Sequence, residues 1–124
     1  MIVDEPGVKA EVEAVFAVYE AALVGNDVAV LDRLFWADAR VIRYGVAENL
    51  QGADEIAAFR AARPAAGLGR MLQRTVITTF GRDFATASTL FHRMPGKVGR
   101  QMQTWVRMDD GWRVVAAHVS VIDG

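Results

Sequence analysis

Residues 70–122 read as four strand segments joined by three short turns, and no other feature constrains the fold as tightly. The segments "RMLQRTVITTF" (70–80) and "FATASTLFHRM" (84–94) meet at "GRD"; "PGKVG" and "DDG" then lead into "RQMQTWVRM" (100–108) and "WRVVAAHVSVI" (112–122). β-branched and aromatic residues dominate the segments, while Gly, Pro and Asp dominate the joints. Turns this short permit only antiparallel neighbours, so the second half of the chain is an antiparallel meander.

The first half is helical. From Val8 to Val24, apolar Val12, Val15, Phe16, Tyr19 and Leu23 recur at spacings of three and four, with Glu11, Glu13 and Glu20 mostly on the other faces. Gly25 and Asn26 suit the left-handed turn that ends a helix, and Asp27 can cap a second, short helix running through Phe35. A strand "ARVIRYG" (39–45) follows, then a turn around "ENLQG", then a helix over "ADEIAAFRAAR" that stops at Pro64. "PAAGLG" reads as a loop. Helices first and a long meander last give an α+β class in which the N-terminal helices cover one face of a strongly curved antiparallel sheet. No repeat, linker or low-complexity tract divides the chain, so residues 1–124 read as one domain.

Composition narrows the function classes. A chain of 124 residues, 52% hydrophobic and 23% charged with a formal charge of −1, is that of a globular protein with one sizeable core. Nucleic acid is not the expected partner. No apolar run is long enough for a bilayer, and "MIVDEPGVKA" lacks the pattern of a signal peptide, which makes the cytoplasm the expected location. Without cysteine there is no thiolate nucleophile or cysteine zinc site, and His92 and His118 have no paired ligand spacing, so no metal site is expected.

Several polar residues sit on faces that should be dry. In "ARVIRYG", Arg43 shares a face with Val41 and alternates with Ile42 and Tyr44, so apolar neighbours surround it whichever face is the core. Along the last strand, strict alternation leads from Trp112, Val114 and Ala116 to His118 and Ser120, while Gln101, Gln103, Trp105 and Arg107 share one face of the strand before it. Tyr19 brings a hydroxyl to the inner side of the first helix. Each has a plain structural explanation. Arg43 can pair with a protein carboxylate or snorkel from an edge, Tyr19 can be a core ring, His118 an interior hydrogen-bonded histidine, and Trp105 and Trp112 core or interface aromatics. Arg60 and Arg63 can be solvated helix charges, and His92 lies beside a turn. Taken together, the polar positions converge on a single cavity if the sheet curls around the helices. A buried arginine there needs a carboxylate from the protein or an anion from a ligand, because a lone buried charge costs several kcal/mol.

Helix pair, strand, helix and closing meander, ending in "GWRVVAAHVS", resemble the nuclear transport factor two-like, or SnoaL-like, cone fold across nearly the whole chain. Within that superfamily the segments "VYEAALVGND", "LFW", "RYG", "GADEIAAFRAAR" and especially "GRQMQTWVRMDDGWRVVAAHVS" resemble the AtzH-like family, which includes the HpxZ type of oxalurate-catabolism proteins. The resemblance implies a conical antiparallel sheet, a homodimer through sheet faces, no metal or organic cofactor, and a decarboxylating amidohydrolase activity on a small carboxylated urea or oxalurate-like anion in purine or triazine nitrogen catabolism. The family's functional tyrosine on the first helix and arginine of the "RYG" strand fall on Tyr19 and Arg43. Met102 departs from the family pattern, where a smaller or more polar residue is expected.

On this reading the substrate, not the protein, supplies the counter-ion of Arg43. Its planar fork matches a carboxylate, Tyr19 donates to a carbonyl or shuttles a proton, and His118, whose ordinary pKa lies near neutrality, is the candidate acid or base. Gln103 and Ser120 orient amide groups, and Arg63 binds a second carboxylate. Two rivals stand beside it. One is a non-catalytic small-anion binder or accessory dimer for a partner amidase. The other is a ketosteroid isomerase-like isomerase or dehydratase, which requires a carboxylate base facing the cavity, and Asp32, Asp38, Asp83, Asp109 and Asp110 are poorly placed for it.

Overall fold

The first helix follows from the apolar spacing: α1 (Pro6–Val24) buries Val8, Val12, Phe16, Tyr19 and Ala22 along one stripe. Glu5 caps its start by accepting from the Val8 amide, and Pro6 at the first helical position needs no hydrogen-bond partner. Its end is the anticipated left-handed turn, with Asn26 at φ 50°. α2 (Val28–Leu34) is capped by the Asp27 carboxylate, and α3 (Ala53–Ala62) starts after Gly52 and ends before Pro64. The computed structural model describes residues 1–64 and 68–124. The "PAAGLG" loop therefore lies partly, at 65–67, outside the described residues.

The strands are β1 (Ile42–Tyr44), β2 (Asn49–Gln51), β3 (Met71–Phe80), β4 (Phe84–His92), β5 (Lys97–Met108) and β6 (Gly111–Asp123). They form one six-stranded sheet in the order β2-β1-β6-β5-β4-β3. The meander β3 to β6 is antiparallel, as the short turns require. β1, however, lies parallel to the end of β6, so the sheet is mixed; a crossover that includes α3 and the whole meander separates the two strands. The "ENLQG" stretch is more than a turn. Its residues Asn49–Gln51 form β2, which folds back antiparallel on β1 as a hairpin.

One irregularity redirects a whole strand end. Trp105 pairs with Val114 but Thr104 pairs with Ala116, so Val115 is an extra residue in β6. A β-bulge of this kind reverses the inward–outward alternation beyond it. Trp112 and Val114 point inward before the bulge and Ala117 points inward after it, which puts Ala116, His118 and Ser120 on the outer face.

The core lies between the helices and the inner face of the sheet. Trp105, Leu31, Val12, Val41 and Val114 have no exposed surface, and burial of each aliphatic side chain contributes about 1.5–3 kcal/mol. Tyr19 joins this core edge-on to Trp105, with ring centroids 6.3 Å apart. Among the described residues no helix is long and apolar enough to cross a membrane.

Gly99 is a packing requirement at the open end. It faces Phe91 across β4 and β5, and a Cβ at 99 would lie 2.1–2.3 Å from the Phe91 ring. Gly99→Ala must push that ring aside. It is expected to lower stability by about 1–3 kcal/mol, the usual range for overpacking; an unchanged denaturant midpoint would show that the ring moves freely.

Candidate functional site

The helices and the curved sheet leave a cavity of about 210 Å³ at one end of the core. α1 contributes Tyr19, β1 contributes Arg43, the β1–β2 turn contributes Glu48, and the end of α3 contributes Phe59 and Arg63. The sheet side adds Arg70, Phe91, Arg93 and Gln101. Tyr19 and Arg43, which the sequence places on separate elements, thus line one space.

Arg43 reaches that space because β1 is short and lies beside Ala117 of β6, whose side chain is a single methyl group. It is only 9% exposed. The expectation that it lacks a protein counter-ion is wrong: its Nη1 donates to Glu48 Oε1 at 2.7 Å. The cause is local. The β1–β2 hairpin turns the chain back so that Glu48 stands over Arg43, and Gly45 leaves the room, since a Cβ there would lie 1.7 Å from Glu48 Oε1. Local sequence marks "ENLQG" as a turn and gives no sign that a glutamate five residues downstream folds back onto the arginine.

Among the described residues the buried guanidinium without an acid is Arg63; Arg93, which also lines the cavity, is exposed. The Nε and Nη2 of Arg63 are buried and have no hydrogen-bond partner among the described residues. Burial lowers its pKa from the ordinary arginine value, and repulsion from Arg43 and Arg60 acts in the same direction, while Tyr19 opposes it. Arg43 and Arg63 both stand against the Phe59 ring, at 5.1 and 5.8 Å from its centroid. Nε and Nη2 form one edge of the guanidinium fork, the edge that grips a carboxylate with two parallel hydrogen bonds.

The neighbouring Arg60 and Arg70 are paired internally. Arg60 is not a solvated helix charge: it is 2% exposed, donates to Asp32 Oδ1 at 3.0 Å and lies 4.1 Å from the Phe35 ring centroid. Arg70 pairs with Glu20 of α1, donates to Gln101 Oε1 at 3.0 Å and stacks on Phe91, the ring that Gly99 admits. Gln101 Nε2 is then left buried without a partner. Arg63 and Gln101 both line the cavity and each carries buried side-chain nitrogen without a partner among the described residues, while Glu48, already bound to Arg43, is the lining acid among them. Such a space favours a small anion that also carries a carbonyl.

Three sequence-derived site residues lie elsewhere. His118 and Ser120 are on the outer face because of the Val115 bulge; His118 is exposed and meets Tyr44 edge-on, and Ser120 accepts from Arg100 Nε at 3.2 Å. Gln103 is buried deeper than the cavity, where its Oε1 accepts from Trp105 Nε1 at 3.0 Å. Met102 is 51% exposed on the outer face, so its departure from the family pattern does not alter the cavity. Gln101 was legible, since it shares a face with Gln103; nothing in the local sequence marks Arg70.

A family model described as AtzH-like matches residues 1–124. A protein of unknown function from Pectobacterium atrosepticum has a similar structure, with TM-score 0.96, 61% identity, and coverage of 98% of this chain and 95% of that one. A cystatin-like fold protein from Burkholderia xenovorans also has TM-score 0.96, with 47% identity over 100% of this chain and 98% of its own. A nuclear transport factor two-like protein of unknown function from Pseudomonas putida, 16% identical with TM-score 0.77 over 92% and 86% of the two chains, shares the fold. No curated protein matches. The cone architecture and the full-length match agree: the chain belongs to the AtzH-like family.

Proposed function

We propose that this protein binds a small carboxylated urea or oxalurate-like anion and hydrolyses it, releasing ammonia and carbon dioxide, as a step in nitrogen catabolism. The observation that carries the proposal is the buried, unmet Nε–Nη2 edge of Arg63 in a cavity shared with Tyr19 and Arg43. Family membership supports the reaction class. Arg63 takes the substrate carboxylate, and Gln101 Nε2 donates to an amide carbonyl. The Tyr19 hydroxyl donates to the carbonyl that is attacked, whose oxygen gains negative charge as water adds to its carbon. The C–N bond then breaks, the departing nitrogen takes a proton derived from water, and a carbamate so formed loses carbon dioxide while its nitrogen takes up a proton. His118 has no part in this, because it faces away from the cavity.

Glu48 does give the cavity a carboxylate, which the isomerase reading lacked. Its bond to Arg43, with Arg63 and Arg70 nearby, leaves a site suited to anions rather than to a large apolar ketone.

The decisive assay offers dicarboxyurea, oxalurate and allophanate to the purified protein and follows ammonia and carbon dioxide together. Arg63→Ala is expected to lower kcat/KM on the order of 10²-fold, as loss of a desolvated charge partner does. Tyr19→Phe is expected to lower kcat about 10²-fold through loss of a donor to the developing oxyanion. His118→Ala should retain full activity. Binding without turnover of all three compounds would assign the protein to the non-catalytic anion binders; neither binding nor turnover would end the proposal.

Stability provides an independent check. An unmet buried donor group costs about 1–3 kcal/mol, so Arg63→Met is expected to raise the ligand-free melting temperature by a few degrees while removing anion binding. A lower melting temperature would mean that Arg63 is a structural residue.

The proposal includes a homodimer through the outer sheet face, where Val76, Phe84, Met102 and Ile122 are exposed. Light scattering should then give a dimer mass for the wild type and a monomer mass for Met102→Glu. A wild-type monomer removes this part of the reading without touching the cavity.

A further inference from the structure

We propose that Glu48 determines specificity in this site, as an internal carboxylate that holds Arg43 until a second ligand carboxylate displaces it. The inference rests on the reading of Arg63 as the first anion anchor. Two guanidiniums stand against the Phe59 ring, yet they differ in one respect: Arg63 has an unmet fork, whereas Arg43 already has a carboxylate in place. A ligand with one carboxylate can settle on Arg63 and leave the Arg43–Glu48 pair intact. A ligand with two must compete with Glu48 for Arg43.

The geometry favours a replaceable partner over a permanent one. Glu48 contacts Arg43 through a single bond from Nη1 rather than a two-bond fork, the weaker of the two arrangements a carboxylate can make with arginine. It stands on the short β1–β2 turn, beside exposed Val46 and Ala47, and its other oxygen accepts only from the Ala47 amide of the same turn at 3.1 Å. Solvent is thus within reach of the side chain once it leaves Arg43. Arg60 is held by a single Nη1 bond too, to Asp32 Oδ1 at 3.0 Å, but its partner comes from α2, a helix whose Leu31 and Leu34 are fixed in the core. Gly45 completes the device, since the Glu48 carboxylate occupies the space that any side chain at 45 would take.

Calorimetric titration of the full chain with oxamate, which has one carboxylate, and malonate, which has two, tests the idea. Wild type, Glu48→Gln and Gly45→Ala are compared; the last keeps the glutamate, but its added Cβ would lie 1.7 Å from Glu48 Oε1 and 3.0 Å from Arg43 Nη1, so the carboxylate is excluded while the guanidinium gives by a few tenths of an ångström. With the competing carboxylate neutralised in one variant and displaced in the other, both should bind malonate more tightly, on the order of tenfold, with oxamate affinity within about twofold of wild type. Ligand-free Glu48→Gln should also melt at a lower temperature than wild type, and malonate should restore it. Gly45→Ala keeps the test open if Glu48→Gln fails to fold. Equal tightening of both ligands would make Arg43 the first anchor and overturn the inference. Weakening of malonate would show that Glu48 holds Arg43 in its binding orientation, and unchanged affinity for both would show that Glu48 is never displaced; either result also overturns it. In all three cases oxamate binding that depends on Arg63 leaves the underlying reading standing, whereas a wild type that binds neither compound removes both.

Discussion

A guanidinium taken out of water must be met by an anion, and the site end of this molecule is organised by how that demand is satisfied. Arg43, Arg60 and Arg70 approach the cavity or its wall and each finds an acid: Glu48 from the β1–β2 turn, Asp32 from α2 and Glu20 from α1. Arg63 does not. The Asp32 and Glu20 pairs tie the helices and the segment before β3 into a frame, and the Glu48 pair closes it at the hairpin. Within it, the buried fork of Arg63 is a place where charge from outside is required. Phe59, Phe35 and Phe91 line the guanidinium faces, so that the flat surfaces are covered by rings and only the edges are left for hydrogen bonds.

The frame reaches further than the ion pairs. Gly99 admits the Phe91 ring, Phe91 supports Arg70, and Arg70 occupies Gln101 Oε1, which leaves Gln101 Nε2 buried without a partner among the described residues. Gly45 does the same on the opposite side by admitting Glu48 to Arg43. In both places the absence of a side chain, rather than its presence, positions a charged group. This explains why small residues stand among the aromatic and cationic ones near the cavity.

Much of the fold was legible because it depends on local periodicity. The α1 stripe, the Asp27 cap, the Pro64 stop and the four meander strands all follow from patterns within a few residues. What was not legible depends on register. Val115 looks like any strand valine, yet as the extra residue of a bulge it turns His118 and Ser120 outward and so removes two of the six residues assigned to the site. The parallel contact between β1 and β6 joins segments some seventy residues apart, and no local signal announces it. Tyr19 and Arg43 were found because each is polar on a face that is otherwise apolar, a signal that survives errors in register.

Arg60 and Arg63 show why the last step could not be taken from sequence. They are three residues apart and therefore neighbours on one face of α3, identical in type and similar in local context. Asp32 reaches Arg60 and gives it a carboxylate at 3.0 Å, so that Arg60 belongs to the frame. Arg63 sits at the C-cap, where the partial negative charge of the helix end stabilises a cation by about 0.3–1 kcal/mol. That is enough to ease its burial and too little to replace a carboxylate, which costs the protein stability but keeps the fork open. One helical turn separates a structural arginine from one poised for a ligand, and only the position of a third element, α2, decides which is which.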